Sequence, residues 1–225
     1  HWVLDNVNET LFIITPAIPK EHPQKCWLEE KGITLLKRAE VLGLITQDSI
    51  CLAVAGTHGK TTTSTLLAHI LHELKWEFSA FLGGISSNFN SNYIKNSGKP
   101  SDSGAPIIIV EADEFDRSFH KLFPNAAIIT AIDADHLDIY ETKEAFEEAF
   151  HIFARQIQKS DSNSLFINKD LIWPKEAGTQ TYGFSEDSDY VINNIQIKDG
   201  SYHFEVVYQE KTFKFKAGLP GYHNV

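Results

Sequence analysis

The chain has 225 residues, 42% of them hydrophobic, with a formal net charge of −10. It can bury a sizeable core and hold more than one domain, and its acidic balance speaks against a nucleic-acid-binding surface. No apolar run approaches a membrane span, the N-terminus lacks the charged-then-apolar order of a secretory signal, and Cys26 and Cys51 make neither a disulfide framework nor a metal-ligand spacing.

A reducing, cytoplasmic setting is the simplest expectation. Methionine is absent, position 1 included, so we expect the sequence to be a piece of a longer product. Along the chain, Leu11 to Thr15 reads as a short strand ended by Pro16. Pro23 to Lys31 reads as a helix with its proline in the tolerated first turn and Gly32 at the stop. Ile33 to Leu36 is a second strand and Arg38 to Ile45 a second helix, the tail of a parallel α/β unit. The polar link Thr46 to Ser49 is the expected domain boundary, dividing the chain into 1–48 and 49–225.

Strand and helix then alternate again. Ile50 to Ala55 is an apolar strand, followed by a glycine loop and a helix through Leu71. Phe78 to Leu82 is a strand ending in Gly83-Gly84, and Ser86 to Ala105 reads as a polar loop. Pro106 to Val110 is wholly apolar, which suits the centre of a parallel sheet, and Ala126 to Thr130 is similar. Thr142 to Gln158 places Phe146, Ala149, Phe150, Phe153 and Ile157 on one helical face. Ser164 to Ile167 is a further strand. The last part changes character: Tyr190 to Ile197, Tyr202 to Tyr208 and Thr212 to Lys216, with turns at Asp199-Gly200 and Gln209-Glu210, read as a small antiparallel accessory sheet. The expected fold class is α/β.

Chemistry concentrates after the apolar strands. Gly56-Thr-His-Gly-Lys-Thr-Thr-Thr63 sits between a strand and a helix, the setting of a phosphate-binding loop. Gly56 and Gly59 let backbone N–H groups approach an anion, and the helix opening near Lys60 adds its dipole. Lys60 supplies a point charge for the β- and γ-phosphates, and the Thr61 hydroxyl is placed for Mg²⁺. The first glycine of the general pattern is replaced by Val54, with Gly56 two residues later. The competing reading is a turn whose glycines serve only the turn.

Glu111-Ala-Asp-Glu-Phe-Asp116 begins where an apolar strand ends, the place where ligands bind in parallel sheets. Glu111 there can reach a metal held by Thr61; a solvated acidic loop is the alternative. Asp133-Ala-Asp-His-Leu-Asp138 follows another strand in the same way, and its His136 and carboxylates could hold a second Mg²⁺ or orient its waters; a hydrogen-bonded structural histidine is the alternative. His69 and His72 lie on one helix without the spacing of a zinc protease motif, so they read as a surface or packing pair. Lys211, Lys214 and Lys216 read as solvent-facing.

These motifs, together with Leu219-Pro-Gly-Tyr-His-Asn224, resemble the Mur ligase family over nearly the whole chain, and four motifs in order make the likeness specific. The resemblance implies a parallel-sheet phosphate-loop ATPase domain with a small antiparallel accessory sheet, covering 49–225 and incomplete at its C-terminal end. Residues 1–48 would be the tail of a Rossmann-like UDP-sugar-binding domain. It implies ATP and Mg²⁺ as cofactors and an ATP-dependent ligation of L-alanine to the lactyl carboxylate of UDP-N-acetylmuramate through an acyl phosphate, in peptidoglycan synthesis. A preformed peptide in place of alanine remains open, as does a nucleotide-driven switch. By the same resemblance Gly56, Thr57, His58, Gly59, Lys60, Thr61, Thr62 and Asn224 bind nucleotide, Thr61, Glu111 and His136 bind metal, and Lys60, Glu111 and His136 serve catalysis. The expected partners are the two substrates, with no nucleic acid or membrane, in a monomer or homodimer.

Overall fold

The computed structural model describes residues 9–15, 17–133, 140–157, 164–174 and 178–218. The chain opens with a parallel pair, β1 (Phe12–Ile14) and β2 (Leu35–Lys37), linked through helix α1 (Pro23–Glu30). Pro23 starts α1, where its missing N–H costs nothing, and Gly32, at φ 67°, lets the chain leave it. Helix α2 (Arg38–Gln47) then leads to β3 (Ile50–Ala55).

From β3 a single sheet of 10 strands is built. The elements in order are α3 (Lys60–Glu73), β4 (Phe78–Ser86), β5 (Ser91–Asn96), β6 (Ile107–Ala112), the 3₁₀ segment Phe115–Lys121, β7 (Ala126–Ile129), α4 (Lys143–Ile157), β8 (Ser164–Asn168), β9 (Thr179–Gly183), β10 (Tyr190–Lys198), β11 (Ser201–Tyr208) and β12 (Lys211–Ala217). Across the sheet they lie β12-β11-β10-β9-β8-β7-β3-β6-β4-β5. Every pair from β4 to β10 is parallel, while β5, β11 and β12 pair antiparallel at the two edges. The expected α/β class is therefore present, with its antiparallel accessory strands joined to the main sheet through the short contact of β9 with β10.

Alternation along the central strands divides the core between two faces. Cys51, Ala53 and Ala55 of β3 and Ile108 and Val110 of β6 pack with Phe146, Ala149, Phe150, Phe153, Ala154 and Ile157 of α4. Ile107 and Ile109 turn the other way, toward Ala68 of α3 and Phe78, Ala80 and Leu82 of β4. Burial on both sides explains why β6 is apolar without interruption from Ile107 to Val110. Each fully buried Phe of α4 contributes about 1.5–3 kcal/mol of transfer free energy, so α4 is fastened along its length.

Two sequence expectations needed correction, and one strand was not expected. Strand β4 does not stop at Gly83-Gly84 but runs through them to Ser86. The stretch read as a polar loop contains β5, whose polar residues suit an edge strand with one side open. Strand β9 lies in a Thr- and Gln-bearing stretch that carries no apolar signal.

Helix α2 also packs against the 3₁₀ segment. Phe123 N donates to the buried Thr46 Oγ1 at 3.2 Å, and a Cβ on Gly43 would come within 2.3 Å of the Lys121 carbonyl oxygen. The glycine allows helix and 3₁₀ segment to meet at backbone distance. Packing thus crosses the link at 46–49. No helix among the described residues is long and apolar enough to cross a membrane.

Candidate functional site

Parallel register brings three loops to one edge of the sheet. Ala55, the last residue of β3, pairs with Ala112 at the end of β6 on one side and with Ile129 at the end of β7 on the other. The chains leaving these residues are the glycine loop, the acidic loop and the segment from Thr130. Strand β3 is also where the strand order reverses, the crevice in which open α/β sheets bind ligands.

The glycine loop is shaped by two left-handed residues. Gly56 has φ 133°, and a Cβ there would lie 2.2 Å from Thr130 Oγ1; Gly59 has φ 80° and forms the N-cap of α3. Only glycine takes both positions without strain. The first turn of α3, Lys60 with Thr61 and Thr62, then presents helix-start N–H groups, which have no partner within the helix, beside the loop.

The Thr130 hydroxyl donates to the His58 carbonyl, and Thr57 N donates to Ala131 O at 3.0 Å. Asp133 N donates to Thr57 Oγ1 at 3.2 Å, and the Asp133 carboxylate stands 3.5 Å from His58 Nε2. The loop is therefore stitched to the strand end beside it.

Three side chains from α3 meet two carboxylates, Glu111 near the end of β6 and Glu114 in the acidic loop that follows. Thr61 Oγ1 donates to Glu111 Oε2 at 3.1 Å, and Ser64 Oγ donates to Glu111 Oε1 at the same distance. Gly83 of β4 forms the wall: a Cβ there would sit 2.6 Å from Glu111 Oε2, while one on Gly84 would touch the Thr61 methyl at 3.6 Å. One residue back, Lys60 Nζ lies 2.8 and 3.0 Å from the two Glu114 oxygens and 2.6 Å from Gly56 O.

The acidic loop is anchored from behind. Phe119 stacks on Phe153 of α4 with ring centroids 5.0 Å apart, and the Tyr140 hydroxyl donates to the Glu114 carbonyl.

Of the residues singled out in the sequence, Gly56, Thr57, His58, Gly59, Lys60, Thr61, Thr62 and Glu111 are thus brought to one place. His136 and Asn224 lie outside the described residues. His72 bonds Asn96 and contacts the Phe89 ring, and His69 is exposed, as a packing and surface pair would be. The three lysines of β12 are exposed. Sequence reasoning did not single out Ser64 or Thr130, and it named Glu114 and Asp133 only as members of their acidic motifs. The only signal for Glu114 was its place inside the acidic run, which does not distinguish a buried carboxylate from a solvated one.

Chemically, the place offers a cation, helix-start N–H groups, a hydroxyl and a carboxylate at one sheet edge. Among the described residues no cluster of three or more His, Cys, Asp or Glu side chains could hold a metal. One carboxylate and one hydroxyl instead suit Mg²⁺, which keeps several waters and takes its remaining ligands from phosphate oxygens. The arrangement fits a polyphosphate with a hard divalent cation.

Known proteins resemble this chain in sequence and in fold. The Mur ligase middle domain matches residues 54–225. UDP-N-acetylmuramate--L-alanine ligase of Flavobacterium psychrophilum is 48% identical over 220 residues, 97% of this chain and 46% of that protein. The protein of the same name from Christiangramia forsetii is 44% identical over 224 residues, 99% of this chain and 47% of that protein. Among solved structures, UDP-N-acetylmuramate-alanine ligase of Thermotoga maritima superposes with a TM-score of 0.77 at 27% identity, covering 95% of this chain and 48% of that one. The chain spans about half the length of the curated relatives it matches.

Proposed function

This chain belongs to the Mur ligase family, and on that premise we propose that it is the ATP-handling part of an enzyme joining L-alanine to the lactyl carboxylate of UDP-N-acetylmuramate in peptidoglycan synthesis. The reading is supported by relatives of that name at 44–48% identity. The observation that carries it is the meeting of Thr61 and Glu111 beside a helix start, walled by Gly83. Residues 49–225 would form the central ATP-binding domain, and 1–48 the end of a UDP-sugar-binding domain.

In this reading Lys60 and the loop N–H groups from Gly56 to Thr62 hold the β- and γ-phosphates. Thr61 and Glu111 would hold Mg²⁺, which would supply Lewis-acid neutralisation of the phosphate charge. By motif alone, His136 would help hold a second such ion and Asn224 would contact the adenine. The protein's task is to align two anions, the sugar-linked carboxylate and the γ-phosphate, whose repulsion would otherwise keep them apart. A carboxylate oxygen would attack the γ-phosphorus as its bond to the bridging oxygen of ADP breaks, giving an acyl phosphate and ADP; the alanine amine would then attack the acyl carbon, lose a proton and expel phosphate to form the amide.

Phosphate release from ATP by the full-length product tests this. It should require both UDP-N-acetylmuramate and L-alanine, and a tripeptide should not replace alanine. Release that is indifferent to both substrates would point to a nucleotide switch instead.

A further inference from the structure

The charge of Lys60 is fully engaged by the protein itself. An ammonium has three hydrogens, and three acceptors surround this one: Gly56 O and both oxygens of Glu114. Glu114 is 1% exposed. Its backbone oxygen accepts from the Tyr140 hydroxyl and from Arg117 N, and Phe119, which closes the same turn through a bond to Asp113 O, is buried against α4. The carboxylate therefore has little freedom to withdraw. A phosphate that binds Lys60 has to replace one of the three acceptors. The carboxylate is the one that repels it.

The two glutamates of the acidic loop consequently have different partners. Glu111 faces the hydroxyls of Thr61 and Ser64, whereas the Glu114 carboxylate, among the described residues, bonds the Lys60 ammonium alone. We propose that Glu114 is a positioning residue that competes with the β- and γ-phosphates for Lys60, and so sets the affinity of the loop for triphosphate. The inference rests on the nucleotide-binding reading above. Glu114 fixes where the ammonium stands, at the cost of weakening the grip on the ligand it is there to meet.

Titration calorimetry on Glu114→Gln tests it, since the amide keeps the shape and removes the charge. Loss of a unit negative charge a few ångströms from the phosphates should tighten Mg–ATP by about tenfold or more. AMP, which has no β- or γ-phosphate, should bind as it does to the parent. In the full-length enzyme KM for ATP should fall together with kcat, because Lys60 is no longer held in place. Glu114→Asp, with its carboxylate one methylene further from Nζ, should give a smaller gain of about threefold, so the comparison survives if the glutamine variant does not fold. Equal or weaker Mg–ATP binding in the folded variants would overturn the proposal, because a purely structural role can only weaken binding. Failure of the parent to bind Mg–ATP would overturn the nucleotide reading itself.

Discussion

Thr61 Oγ1 lies 3.1 Å from Glu111 Oε2, joining the first turn of α3 to the end of β6 across 50 residues of sequence. Each residue is placed by regular structure: Thr61 by the helix that Gly59 caps, and Glu111 by a strand buried on both faces. A hydroxyl and a carboxylate held in this way keep their spacing without help from a ligand, and that is the form of preorganisation a metal-bound phosphate needs.

Gly83→Ala should disturb this pair without disturbing the fold. The new Cβ would fall 2.6 Å from Glu111 Oε2, so the carboxylate at the end of that flexible side chain would have to swing away from its place beside Thr61. Mg²⁺-dependent nucleotide affinity should drop at least about tenfold, while far-UV circular dichroism stays that of the parent. Unchanged affinity would mean that Glu111 has room to move and that Gly83 is not its wall.

The contact of α2 with the 3₁₀ segment makes a separate prediction. A methyl on Gly43 meets the Lys121 carbonyl at 2.3 Å, and backbone is less able to yield than a side chain. Gly43→Ala should lower stability in urea by about 1–3 kcal/mol. It should leave nucleotide binding at the far end of the strands unaffected. Stability equal to the parent would show that α2 lifts away freely.

Protonation of His120 should govern part of the acid sensitivity. Its ring lies between Phe119 and α4, with Nε2 2.9 Å from Ala149 O. Burial holds its pKa below the usual histidine value; the bond to Ala149 opposes this, and the Arg117 charge adds to it. On acidification the unfolded chain therefore takes up the proton first, near pH 6.5. The contribution of His120 is fully present above that pH and is lost as the pH falls below it. Melting temperatures from pH 8 to 5 should decline less steeply in His120→Gln than in the parent. Parallel curves would remove His120 from the account.

The two cysteines should differ in reactivity. Cys51 is buried in β3, and burial pushes its thiol up to about 12, whereas Cys26 is only partly covered. Thiolate is the reactive form, so a disulfide reagent should titrate one thiol in the native protein and two after denaturation. Rapid reaction of both in the native state would contradict the burial of β3.

Much of this was legible in the sequence because periodicity reports burial. The stripe from Phe146 to Ile157 and the apolar run before Glu111 each predicted the element found and the face or place it occupies. The glycine loop identified its own ends because φ above zero at Gly56 and Gly59 leaves few alternatives to glycine. Strands β5 and β9 were not legible. Their Ser, Asn, Thr and Gln residues carry no apolar alternation, and they are strands because β4 and β8 offer open hydrogen-bonding edges.

Glu114 was hidden for a different reason. Its neighbours in sequence are acidic, which suggests solvent, but its burial depends on Tyr140 and Phe119 arriving from further along the chain. Gly83 read as the end of a strand, because nothing in sequence says that Glu111 will stand against it.

The most direct test of the account is titration calorimetry of ATP with saturating Mg²⁺ and with chelator, on the parent, Lys60→Ala and Glu111→Gln. If Lys60 holds phosphate while Thr61 and Glu111 hold the metal, Lys60→Ala should weaken binding under both conditions. Glu111→Gln should abolish only the advantage that Mg²⁺ confers. A Glu111→Gln protein that keeps the parent's full response to Mg²⁺ would contradict the account, because the metal would then be bound elsewhere.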